Sequence, residues 1–266
     1  MSILSIEFFS GCLMRPVSFK VLLPDGARVQ TQESADNPHY KRPTKTLFLL
    51  HGYTSDLNEW LYGSSIRFLA EKYNLAVVFP NGENSFYLNS EATGRKYCDF
   101  VGGELVDYMR KIFGLAKSAK DTFIGGLSMG GFGALHTAFA FPENFSKVAA
   151  MSSALIIHEL AEIKPGQDNG VANYEYYHLC FGDLDRAKES DANPETLLLK
   201  LKKEGKKIPD IFMACGTEDF LLEKNRAFCE FLKKESIPVL YEEGPGSHNM
   251  QFWDAKLEPA IKWMLM

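Results

Sequence analysis

The stretch TFIGGLSMGGFGALHTAFA, residues 122–140, decides the fold. It opens on an apolar run of strand character, turns at Ser128, and continues from Met129 as a small-residue segment of helical character. Within it Gly126, Leu127, Ser128, Met129 and Gly130 spell G-x-S-x-G. A serine at such a strand-to-helix turn sits on a sharp, strained bend with its oxygen exposed. Glycines on either side remove the Cβ atoms that would clash there. A helix beginning at Met129 also aims its first N–H groups at negative charge that develops on a bound substrate. The pentapeptide alone is only moderately specific; its strand-turn-helix setting carries the weight.

Outward from this stretch the chain keeps one rhythm. Short apolar runs at 46–50, 75–80, 147–154 and 210–214 alternate with helix-like segments at 64–73, 103–113, 129–141, 194–204, 221–235 and 251–264. Runs that are apolar on consecutive residues suit strands buried on both faces of a parallel sheet. Two earlier runs, 5–9 and 16–23, precede the turn-like Pro24, Asp25 and Gly26 and predict antiparallel strands at one edge. The expectation is an α/β protein with a mostly parallel central sheet, helices on both faces, and one domain over residues 1–266. From 155 to 207 no strand is evident, and Pro165, Gly166, Asn169 and Gly170 lead into Tyr174, Tyr176, Tyr177 and Phe181. An insertion of that length predicts a small cap over the site. No internal repeat or low-complexity linker is present.

Composition narrows the function classes. The 266 residues carry a formal net charge of −5 and are 45% hydrophobic, which fits a globular chain and gives no footprint for nucleic acid. The basic stretch Lys200 to Lys207 reads as the solvated end of a helix. Five cysteines, Cys12, Cys98, Cys180, Cys215 and Cys229, are odd in number and never spaced CxxC, which argues against a disulfide framework or a zinc site. The histidines and cysteines show no ligand spacing, so no metal is expected. The N-terminus lacks a basic n-region, and no stretch approaches 18 apolar residues, so the reading is cytoplasmic, with no membrane insertion.

A serine hydroxyl is a weak nucleophile at neutral pH, so the turn at Ser128 implies a histidine base and a carboxylate, in chain order Ser, acid, His. The histidines after Ser128 are His136, His158, His178 and His248. His248 alone lies in a Gly-rich loop, between a predicted strand at 239–242 and the last helix. His136 falls on the apolar helix and reads as structural; His158 and His178 fall in the predicted cap and read as surface or structural residues. Asp219 follows the strand DIFMACG, with Glu218 its nearest competitor, whereas Asp183, Asp185 and Asp191 precede that strand. For the tetrahedral oxyanion, donors are expected at the backbone of Met129 and in the loop after LFLL, where His51 and Gly52 end the strand and Tyr53 follows.

Three blocks together resemble the esterase D branch of the α/β-hydrolases, especially the tributyrin esterase-like carboxylesterases. They are LFLLHGYTSDLNEW at 47–60, FIGGLSMGGFGAL at 123–135, and CGTEDFL at 215–221 with GSHNMQFW at 246–253. The resemblance implies an α/β-hydrolase fold, a Ser128, Asp219, His248 triad, oxyanion donors at Tyr53 and Met129, no cofactor, and hydrolysis of short acyl esters through an acyl-enzyme. It also implies a small-molecule ester as partner and is compatible with a homo-oligomer. S-formylglutathione hydrolases are similar but usually carry histidine where Leu127 and Phe132 stand. Feruloyl (cinnamoyl) and acetyl-sugar esterases share fold and triad, and Tyr174, Tyr176 and Tyr177 would suit stacking on a phenolic or sugar group. Acyl transfer, as in the related mycolyltransferases, and an inactive hydrolase-fold binding protein are the non-hydrolytic alternatives.

Overall fold

The computed structural model describes residues 1–25 and 37–266; Gly26 of the predicted turn lies outside the described residues. Among the described residues eight strands form one sheet: β1 Ser2–Ser10, β2 Arg15–Leu23, β3 Lys45–Leu50, β4 Leu75–Pro80, β5 Thr122–Leu127, β6 Lys147–Met151, β7 Asp210–Gly216 and β8 Val239–Gly244. Their order is β1-β2-β4-β3-β5-β6-β7-β8. β1 and β2 pair antiparallel from Ser2 opposite Leu23 to Ser10 opposite Arg15, and β2 joins β4 antiparallel. The remaining pairings are parallel. All six residues of β4 and all six of β5 are buried, which explains why both runs lack alternation.

Helices cover both faces. α1 Glu59–Gly63 and α2 Ile66–Lys72 lie after β3, and a helical stretch α3 over 97–113 includes π-helical turns at Phe100–Glu104 and Met109–Phe113. Then follow α4 Met129–Ala140, α5 Tyr174–Phe181, α6 Pro194–Lys203, α7 Leu222–Lys234 and α8 Met250–Leu265. Alternate residues of one strand point to opposite faces. Phe48 and Leu50 accordingly join a core with residues of α3, α4, α6 and α7, while Leu47 and Leu49 join a second with residues of α1, α2 and α8. Truncating a ring such as Phe48 at the centre of the first core removes about 3–5 kcal/mol of stability.

Three local differences from the sequence expectation have physical reasons. β6 stops at Met151, not at 154, because Ser152 takes φ 46° and leaves the extended conformation. β7 continues to Gly216, paired with Gly244 of β8. α3 begins at Tyr97, six residues before the predicted start, because its glycine pair is tolerated inside a packed helix.

The interval between β6 and β7 contains short 3-10 turns at Ile157–Glu162 and Ala187–Glu189 together with α5 and α6. α5 lies outside the predicted helices: it has only eight residues, and Tyr176 and Leu179 on its other sides blur the i, i+3, i+7 set of Tyr174, Tyr177 and Phe181. Its ends nevertheless carry ordinary signals, the Asn173 side chain accepting from Tyr176 N–H and Gly182 following at φ 74°. α6 packs on α4 through buried Leu198 and Leu201. His136 of α4 is buried there, its Nε2 2.8 Å from the Asp191 carbonyl and its Nδ1 3.4 Å from Cys98 Sγ; burial pushes its pKa down to about 4. Among the described residues no helix is long and apolar enough to cross a membrane.

Candidate active site

Ser128 stands where β5 turns into α4, at φ 53° and ψ −118°. The turn works because the backbone is unusually close on both sides. A Cβ on Gly126 would lie 2.3 Å from the Gly130 carbonyl oxygen, and one on Gly130 2.4 Å from the Leu50 carbonyl oxygen. The Ser128 N–H donates to the Met151 carbonyl at 2.9 Å, and the Ser128 carbonyl accepts from Ala154 and Phe132 N–H at 3.0 Å each. These bonds hold a left-handed serine that would otherwise cost about 1–3 kcal/mol to maintain.

The loop after β8 brings His248 to this serine, with Nε2 2.9 Å from Ser128 Oγ. On the other side of the ring, Nδ1 lies 2.9 Å from Asp219 Oδ2 and 3.1 Å from Oδ1. Asp219 follows β7, and its side chain is fully shielded from solvent. Burial alone would raise its pKa, but the bonds from His248 and from the Leu221 N–H favour the charged form and hold the carboxyl below its usual value. A charged carboxylate only accepts, so Nδ1 carries the ring proton and Nε2 is left to accept from the Ser128 hydroxyl.

The competing candidates are elsewhere. Glu218 is exposed and accepts from Gly246 N–H and Thr217 Oγ1, so it fastens the His248 loop without touching the imidazole. Asp185 and Asp191 pair with Lys164 and Lys200 at the surface, and Asp183 is exposed. His158 bonds Glu195 at 2.8 Å, and His178 is exposed.

His51, 1% exposed, does more than end a strand. Its Nε2 accepts from the Gly82 N–H at 2.9 Å, so its Nδ1 must be the protonated nitrogen, and that donates to the Gly52 carbonyl at 2.8 Å. Burial lowers its pKa and keeps the ring neutral. With the Gly52 carbonyl held on the imidazole, the trans peptide turns the Tyr53 N–H the opposite way. The same loop is pinned by Glu59, which accepts from Gly52 N–H at 2.7 Å, by Trp60 Nε1 on the Leu50 carbonyl at 2.9 Å, and by the Tyr87 hydroxyl on the His51 carbonyl at 3.1 Å. Tyr53, Ser128, Met129 and His248 all line one cavity of about 350 Å³, walled mainly by apolar side chains such as Phe86, Ile156 and Leu160.

Two further residues stand beside Asp219 and His248 without a local mark of that role in the sequence. Ser152, buried at φ 46°, lies by Asp219 and favours its charged form, while its Oγ accepts from Trp253 Nε1 at 3.0 Å. The Trp253 ring stands perpendicular to that of His248, with centroids 4.9 Å apart. The available signals were a serine pair interrupting the apolar run of β6 and a tryptophan shortly after His248.

Known proteins resemble this chain over nearly its whole length. The model of the family described as "Putative esterase" matches residues 10–264. An acetyl esterase of Caldicellulosiruptor saccharolyticus is 42% identical over 265 residues, covering 99% of this chain and 98% of that protein. Among solved structures, the substrate-bound fluorophosphonate-binding serine hydrolase F of Staphylococcus aureus matches with a TM-score of 0.84 at 30% identity, covering 100% of this chain and 98% of that one. The S-formylglutathione hydrolase of the same organism, as apoenzyme, matches with a TM-score of 0.82 at 30% identity, covering 100% and 99%.

Proposed function

We infer the reaction from this site and from the family: the chain belongs to the esterases of that family and is a serine carboxylesterase with the α/β-hydrolase fold. Our reading is that it hydrolyses short-chain acyl esters through an acyl-enzyme. Ser128 Oγ attacks the ester carbonyl carbon while His248 Nε2 takes the hydroxyl proton. The Tyr53 and Met129 N–H groups hold the oxyanion, and His248 returns its proton to the departing alcohol. Water then attacks the acyl-Ser128 with His248 again as base, releasing the acid and restoring the hydroxyl. Asp219 keeps the imidazole in the reactive tautomer throughout. The observation that carries this reading is the single His248 ring set 2.9 Å from both Ser128 Oγ and Asp219 Oδ2.

The acetyl esterase named among the relatives supports a small acyl group, and so does the size of the cavity. Thioester hydrolysis of the S-formylglutathione kind is a second reading, favoured by one structural relative and weakened by Leu127 and Phe132 beside the nucleophile. We take the chain as one domain, with the part of 155–207 that faces the cavity acting as its cap. Five free cysteines fit a cytoplasmic setting and an imported, soluble ester. The test is an initial-rate panel of p-nitrophenyl esters from acetate to decanoate, with methyl ferulate and S-formylglutathione, run beside Ser128→Ala. Ser128-dependent rates that peak at short acyl chains support the reading; a maximum on ferulate or the thioester replaces it.

A further inference from the structure

We propose that Phe220 forms the leaving-group subsite and selects esters whose alcohol presents a flat ring face. The inference rests on the reaction just described, because that reaction assigns the two ends of the ester to different walls. The carbonyl oxygen must face the Tyr53 and Met129 N–H groups. The alcohol oxygen must come within hydrogen-bond reach of His248 Nε2, which protonates it. The body of the alcohol therefore lies along whatever covers His248 on the cavity side.

That cover is Phe220. Its ring centroid is 4.6 Å from that of His248 at an interplanar angle of 47°, and it lines the same cavity as Ser128. It is also 69% exposed, whereas its chain neighbours Asp219 and Leu221 are buried. The turn beneath it is fixed by Asp219 N–H on the Gly216 carbonyl and Leu222 N–H on the Asp219 carbonyl, so the ring is presented from a rigid base. Val171, 60% exposed and carried by the insertion, lines the same cavity and adds a second exposed apolar side chain. Trp253 already packs against the imidazole, so His248 does not depend on Phe220 alone for its orientation. What Phe220 offers is an uncovered π face, which holds a flat apolar partner by offset stacking. An aromatic ring and the C–H face of a pyranose share that chemistry.

The experiment compares kcat/KM, which reports acylation, on ethyl acetate, benzyl acetate and an acetylated methyl glucopyranoside. Wild type, Phe220→Ala, Phe220→Tyr and Ser128→Ala are measured together. We expect Phe220→Ala to lower the ratio of a ring ester to ethyl acetate by about tenfold, and Phe220→Tyr to restore it. A fall confined to the benzyl or to the glucoside ratio upholds the subsite and identifies which ring it takes. Unchanged ratios, with all three esters slowed alike or not at all, overturn it and leave Phe220 as a shield for His248. Wild-type-like turnover by Ser128→Ala would instead remove the reaction on which the assignment of walls depends, an outcome separate from any effect at Phe220.

Discussion

His248 Nε2 lies 2.9 Å from Ser128 Oγ, although 120 residues separate the two in the chain. Neither element was shaped by the other locally: the serine is fixed by the β5–α4 turn and the histidine by the loop that follows β8. Parallel strands place both at the carboxyl ends of the sheet's strands, as they do Asp219 after β7. Side chains that meet only because their strands end together should be separable from folding by conservative substitution. Ser128→Ala is expected to lower kcat by roughly 10⁴–10⁶ and Asp219→Asn by about 10⁴, each with an unchanged melting profile. Steady-state kinetics with circular dichroism melts check both halves of the statement.

His51 is expected to behave as a positioning residue. His51→Ala frees the Gly52 carbonyl and leaves the Gly82 N–H unpaired in the core, which costs about 1–3 kcal/mol of stability. Because the Tyr53 N–H then loses its fixed direction, kcat should fall by about 10² while KM moves little. A parallel rise in KM would show that the loop binds the ground state as well.

Ser152 ties stability and activity together, because its one hydroxyl serves both Trp253 and Asp219. Glycine tolerates φ 46° without the strain that serine bears there. Against that relief, Ser152→Gly leaves the buried Trp253 Nε1–H without its acceptor, which costs about 1–3 kcal/mol, so the variant should melt somewhat lower than wild type and turn over about tenfold more slowly because a polar neighbour of Asp219 is gone. Equal turnover would reduce Ser152 to a packing residue.

Glu59 should make stability depend on pH in a defined direction. Burial raises its folded-state pKa above the ordinary 4.5, despite the bond from Gly52 N–H that favours the charge. A carboxyl with a raised folded pKa contributes stability at low pH that is lost as pH rises through the folded value. Glu59→Gln keeps an acceptor for Gly52 and removes the charge, so it should melt higher than wild type at pH 7. The difference should vanish as pH falls below about 4.5. Melting curves of the two proteins across pH 4–8 test the sign.

Much of this arrangement was legible in the residues. The consecutive apolar runs of β3 to β7 announced a buried parallel sheet, and G-x-S-x-G between β5 and α4 marked the sharp turn at Ser128, because both signals are local in the chain. Asp219 and His248 were reachable by their position after strand ends. Within 155–207 the helix at 194–204 was legible and is α6, whereas α5 was not, since it is apolar on several sides and its role depends on what it covers. Ser152, Trp253 and the His51 tautomer were hidden for another reason: each acts through a partner distant in sequence, and nothing in a single chain records which polar groups will meet. Phe220 sits between two buried residues of the acid turn, and only its exposure in the fold gives it meaning.

The central claim is that Ser128 is the nucleophile activated by His248. Intact-protein mass spectrometry after treatment with an alkyl fluorophosphonate tests it in one step. The account predicts a single stoichiometric adduct on Ser128 in the wild type, none on Ser128→Ala, and much slower labelling of a folded His248→Ala. An adduct on another residue, or equal labelling of the Ser128→Ala protein, would contradict it.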